Sequence, residues 1–165
     1  MATTVTVTTN WRKCMDALAT RLSAQRIDAI GTNVTVQSEP FDAGTMVRPG
    51  CYVTPAGRIT KPYSTSREKV GYGCLVTVVR GSTPSRAGAP DRVTGWQELV
   101  ARLCAGKRLT EATTLPDTDS LLPMEVEGVT RRDENPADDA SLKALGHPAE
   151  GTSVLVRVWL AESRT

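Results

Sequence analysis

The sequence predicts an α+β fold, an antiparallel sheet of about four to five strands with two helices packed on one face. Three observations carry this. Residues 66–81 alternate on a two-residue period that puts Val70, Tyr72, Cys74, Val76 and Val78 on one face. Residues 151–161 do the same with Val154, Val156, Val158 and Leu160. An amphipathic helical stretch precedes each of these strands, so the order reads helix, long hairpin, helix, closing strand.

The first helix is expected over residues 11–25. Thr9 or Asn10 can cap it, and Trp11, Cys14, Met15, Leu18 and Leu22 recur at three- and four-residue spacings. Arg12, Lys13, Asp16, Arg21 and Arg26 fall largely off that stripe and read as a solvated face. Residues 30–38, with Val34 and Val36 alternating with polar neighbours, read as an edge or half-buried strand. A further strand is expected over residues 47–54, with Pro49 and Gly50 marking a sheet edge or a bulge.

Pro55, Gly57 and Pro62 read as breaks before the long strand, and Arg58, Lys61, Arg67 and Lys69 make the intervening residues 56–69 a basic hairpin arm. Such a connection is either a solvated loop or a projecting contact element. Gly71 and Gly73 inside the long strand suggest a bulge there. Residues 82–92 read as a loop. Thr94 with Gln97 three residues on has capping-box spacing, and Trp96, Leu99, Val100 and Leu103 form an apolar stripe that Gly106 can end. Residues 110–151 are polar and proline-rich, holding at most a short strand at 124–129 and a helical turn near 140–145.

One domain of 165 residues buries roughly 70% of its unfolded surface, enough for a core without staples. The net charge of +2 is too small a field to point to nucleic acid or an anionic membrane. Cys14, Cys51, Cys74 and Cys104 are too far apart in sequence for CxxC pairs and read as buried, reduced thiols. No apolar run reaches the roughly 20 residues of a membrane helix, and the N-terminus lacks a signal-peptide pattern. His147, the single histidine, lies in a Gly-His-Pro turn, which leaves no His-rich metal site. There is no P-loop, dinucleotide fingerprint or nucleophile elbow, so no catalytic residue, cofactor or metal is assigned and an enzyme is not expected. Asp133, Glu134, Asp138 and Asp139 read as a solvated acidic loop.

This order of elements resembles the tail-completion, or tail-terminator, proteins of tailed bacteriophages. The resemblance rests on the Trp11 helix, the Val34-Thr-Val36 strand, the Pro49 to Pro55 strand leading into the basic hairpin, the Tyr72 to Val79 strand, the Trp96 helix and the Val154 to Trp159 strand. It implies a non-catalytic virion protein of the tail or neck, assembled in the host cytoplasm. Its ring, hexameric by this resemblance, would cap the tail tube protein, meet the head connector or neck, and let genomic DNA pass without sequence-specific binding. On that reading Arg58, Lys61, Arg67 and Lys69 on one subunit and Asp133, Glu134, Asp138 and Asp139 on its neighbour are the candidate contacts. The polar stretch 110–151 is longer than the pattern needs, which keeps a head-completion or neck protein open. A small nucleic-acid-binding α+β module is a further alternative.

Overall fold

The computed structural model describes residues 9–25, 34–36, 50–81, 89–115, 120–131 and 149–164. In chain order the elements are α1 (Asn10–Ser23), β1 (Val34–Val36), β2 (Gly50–Pro62), β3 (Arg67–Gly81), α2 (Ala89–Cys104), β4 (Glu125–Arg131) and β5 (Ala149–Ser163). The strands form one five-stranded sheet in the order β1-β2-β3-β5-β4. The α+β expectation holds, with one correction: β1 runs parallel to β2, whereas every other neighbouring pair is antiparallel.

The two-residue alternation explains the core. Cys51, Val53, Val70, Tyr72, Cys74, Val76, Val78, Val154, Val156, Val158 and Leu160 belong to one buried cluster with the helices. From α1 that cluster takes Cys14, Met15, Ala17, Leu18, Ala19 and Leu22, and Trp11 packs against it. Thr9 caps α1 by accepting the Arg12 amide at 3.1 Å. In α2 the residues buried deepest are Trp96, Val100 and Cys104, one turn apart. Leu99 and Leu103 flank this line and are only partly buried.

α2 begins at Ala89, earlier than its sequence suggested. Pro90 is compatible with a first helical turn, where its missing N–H has no partner to lose. Thr94 is therefore interior to the helix, and Gln97 bonds to the sheet instead of capping, its Nε2 donating to buried Thr152 Oγ1 of β5 at 2.8 Å. Gly106, at φ +69°, ends the turn that follows α2, as expected.

β2 is not broken at Pro55 or Gly57. It continues to Pro62 across a bulge: Pro55 pairs with Cys74 and Arg58 with Tyr72, so Ala56 and Gly57 together face Gly73. Gly57 takes φ +89°, a left-handed conformation that favours glycine. The bulge thus lies opposite Gly73 rather than at Gly50 or within β3. A Cβ on Gly73 would sit 2.5 Å from the Ala56 carbonyl oxygen and 2.8 Å from that of Gly57, backbone atoms that cannot swing aside.

Replacing Gly73 by alanine is expected to destabilise the protein by roughly 1–3 kcal/mol through overpacking against this bulge. Gly95→Ala, on the exposed side of α2 with nothing within 4 Å of a new Cβ, is expected to stabilise it by about 0.5–1 kcal/mol. Urea denaturation of both variants measures the contrast, and equal effects would contradict the placement of the bulge.

Candidate functional site

The basic residues singled out in the sequence lie on a hydrogen-bonded ribbon, not on a loop. Beyond the bulge, Arg58–Pro62 of β2 pairs with Glu68–Tyr72 of β3, and β3 pairs in turn with β5 as far as Ser163. The tip is closed by the Ser64 amide donating to the Arg67 carbonyl at 2.9 Å and the Arg67 amide donating to Ser64 Oγ at 3.0 Å. Among the described residues, β1 reaches only Cys51–Val53 and β4 only as far as Arg157, beyond which Leu121 bridges Leu160 and the Leu122 amide donates to the Trp159 carbonyl at 3.0 Å. The far end of the sheet is therefore a tongue of β2, β3 and β5, lined beside β5 by Leu121 and Leu122 near its base.

Strand alternation splits the tongue's charges between two faces. On the helix side, Tyr72 is the centre. Its hydroxyl donates to Glu162 Oε1 at 2.6 Å, and Asn10 Nδ2 donates to the same oxygen at 3.2 Å. Trp11 stacks at a tilt on the Tyr72 ring, 5.9 Å between centroids, while its Nε1 donates to the Gly73 carbonyl at 3.0 Å. The Arg58 guanidinium lies 5.9 Å from the Tyr72 ring centroid. Burial, helped by the Glu162 carboxylate, pushes the Tyr72 phenol up to about 12. These contacts tie the start of α1 to the tongue.

On the opposite face stands Trp159, fully buried. Lys61 and Lys69 face each other across β2 and β3, an arrangement of like charges that would repel in isolation. Both ammonium groups instead approach the Trp159 ring, at 5.0 and 4.2 Å from its centroid. Carboxylates complete the compensation. Lys69 is 3.8 Å from Glu125, and Arg157 grips Glu127 through two bonds, Nε to Oε1 at 2.6 Å and Nη2 to Oε2 at 2.8 Å. The extra residue of a second bulge, between Val126 and Gly128 of β4, is Glu127 itself. Gly71 makes room for this layer, since a Cβ there would lie 2.6 Å from Arg157 Cδ and 2.8 Å from the Trp159 ring. Among the described residues, Trp159 Nε1 is a buried donor without an acceptor.

The four predicted basic residues thus do not make one patch. Arg58 belongs to the Tyr72 side, Lys61 and Lys69 belong to the Trp159 side, and Arg67 borders a cleft of about 280 Å³ with Asn10, Leu115, Ser120, Leu160 and Glu162. Asp133, Glu134, Asp138 and Asp139 lie outside the described residues, as do His147, Arg26 and the expected helical turn near 140–145. Arg21 is a further correction. It is not solvated, because its guanidinium binds the Glu111 carboxylate at 2.6 Å and the Arg108 carbonyl at 2.6 Å, fastening α1 to the segment after α2. Burial raises the Glu111 carboxyl, but the Arg21 bonds outweigh it and hold the group below its usual range.

Sequence reasoning missed Arg157, Trp159, Glu127 and Glu162. The signal available was the second face of the closing strand, where Arg157 and Trp159 alternate with the valines. The cysteines are free and buried, as expected. Burial pushes Cys14 and Cys51 up to about 12 and Cys104 to about 11, and raises Cys74 as well. Among the described residues no group of three or more His, Cys, Asp or Glu side chains is placed to hold a metal, and no helix is long and apolar enough to cross a membrane.

The fold is similar to that of a chain from the virion of a native gene transfer agent (GTA) particle. The likeness covers 90% of this chain and 94% of that one, with a TM-score of 0.52 at 13% sequence identity. No family model and no curated protein matches the sequence.

The Arg157 bonds are the main cause that holds the Glu127 carboxyl below its usual range. A depressed carboxyl stabilises the fold above the unfolded-state pKa, and that stabilisation fades as pH falls through the lower folded-state value. Glu127→Gln should therefore cost about 1–2 kcal/mol near neutral pH, because Arg157 is left buried with a poorer partner. The difference from the parent protein should be constant above about pH 5 and shrink below the ordinary glutamate pKa of 4.5. Thermal melts from pH 7 to pH 3 measure it.

Proposed function

We propose that this chain is a structural component of a phage-like virion and that it acts as a tail-completion protein, closing as a ring over the tail tube and meeting the head connector. The observation that carries the reading is the likeness of fold to a chain of a GTA virion, which extends over nearly the full length of both chains. A fold alone does not fix a function, so the surface must add to it. The tongue does so. It is a hydrogen-bonded ribbon of β2, β3 and β5 with Ile59 and Tyr63 exposed at 37% and 53%, and apolar side chains held out on a paired strand and its turn suit a protein contact.

On this reading the ring lets DNA pass without reading its sequence, and the weak net charge of +2 fits a protein that does not grip the polyanion. Most of the tongue's charge is compensated within the subunit, so its recognition rests chiefly on shape and on Ile59 and Tyr63.

Analytical ultracentrifugation and negative-stain imaging, alone and with purified tail tubes, test the proposal. The expected result is a discrete closed ring in solution or at one end of the tubes. Tyr63→Ser with Ile59→Ser should weaken that assembly roughly tenfold or more, with little effect on the thermal midpoint, since both side chains are exposed. A strict monomer that also fails to bind tube ends would sink the reading. Rings found at the portal side of heads rather than on tubes would reassign it to head completion, and strongly salt-dependent DNA retention would favour a nucleic-acid-binding module.

A further inference from the structure

Among the described residues, the outer half of β2 is a strand edge without a partner strand. β1 covers only Cys51–Val53, so among the described residues Arg58–Pro62 has β3 on one side and no strand on the other. Unpaired edges invite another strand, and proteins blunt them with proline, lysine and bulges. All three devices are here, yet they leave a gap. Pro55 and the Gly57 bulge close one end and Pro62 the other, so Arg58, Ile59, Thr60 and Lys61 form a short stretch whose backbone can pair. Ile59, in the middle of it, is one of the two large hydrophobic side chains exposed among the described residues.

Among the described residues the other edge of the same sheet is β4, free from Glu125 onward because Met124 just before it is already bonded to Gly106 and Lys107. Glu125 pairs with Arg157 across β5, which puts it on the Trp159 face. Ile59 pairs with Gly71 and Gly71 with Trp159, which puts Ile59 and Lys61 on that face too. One edge thus presents a cation beside an exposed isoleucine, and the opposite edge presents a carboxylate on the same side of the sheet. Glu125 remains about half exposed, with a contact to Lys69 of only 3.8 Å.

We propose that the Arg58–Lys61 edge of β2 is covered by the β4 edge of a second copy of this chain. Main-chain pairing continues the sheet from one subunit into the next, and the neighbour's Glu125 lies beside Ile59 and Lys61. Each copy uses two different edges, so the contact is heterologous and propagates in one direction, closing as a ring when the rotation permits. This rests on the self-assembly in the reading above and adds which strands meet.

Disulfide trapping tests it, because the native thiols are buried and do not compete. One population carries Ile59→Cys and the other Glu125→Cys, both on the Trp159 face. The two are mixed under conditions of assembly and oxidised, with matched thermal melts confirming that both fold. Linked dimers are expected in the mixture and not in either population alone. In parallel, Lys61→Glu should weaken assembly at least fivefold, and adding Glu125→Lys should restore most of it.

Linkage within the Ile59→Cys population alone would show two β2 edges meeting and would overturn β4 as the occupant. Oligomers that form without linkage, at position 59 or with Lys61→Cys in its place, would overturn the edge pairing while leaving self-assembly intact. A monomer under every condition, tail tubes included, would overturn both.

Discussion

The pairing of β3 with β5 is the constraint on which the rest of the molecule depends. It runs without a register shift from Arg67 opposite Ser163 to Gly81 opposite Ala149. A slip of one residue would turn the valine face of one strand towards Arg157 and Trp159 and send charged side chains into the core. Both faces therefore specify the register: one through Val70, Cys74, Val76 and Val78 against the helices, the other through the layer of Lys69, Trp159 and Arg157. Once that ribbon is fixed, β2 can carry a bulge and still return to register beside Tyr72, and the tongue can extend past both edge strands without an independent core.

Much of this was legible in the sequence, for a physical reason. Burial on one side of a strand imposes a two-residue period and burial on one side of a helix a period near 3.6, so β3, β5 and α1 could be read directly from Val, Leu and Cys positions. The less legible parts depend on partners remote in sequence. Pro55 and Gly57 look like a break, and only the crowding of Gly73 reveals that they form a bulge within a continuing strand. The early start of α2 was hidden because Pro90 punctuates a loop as readily as it opens a helix. The parallel pairing of β1 follows from no local signal in Val34-Thr-Val36.

The site was less legible than the fold. Charge clustering in sequence suggested one basic arm, but alternation sends Arg58 to one side of the sheet and Lys61 and Lys69 to the other. Arg157 and Glu127 are 30 residues apart and meet only because β4 pairs with β5. Cation–aromatic and carboxylate contacts then compensate most of the tongue's charge within the subunit, which turns a loop of basic residues into a stiff element with an apolar end. The same logic accounts for a shared fold at 13% identity with the GTA virion chain: alternation and a few close approaches fix the sheet, and most identities within each class are free to change.

Hydrogen exchange read by mass spectrometry would show whether the tongue is a rigid continuation of the β3–β5 ribbon. Amides of β3 and β5 near Lys69, Tyr72, Trp159 and Leu160 should exchange as slowly as those near Val76 and Val154, because one uninterrupted ladder holds them. Fast exchange in the outer half of both strands, with protection confined to the part beneath the helices, would contradict it and restore the arm to a mobile loop.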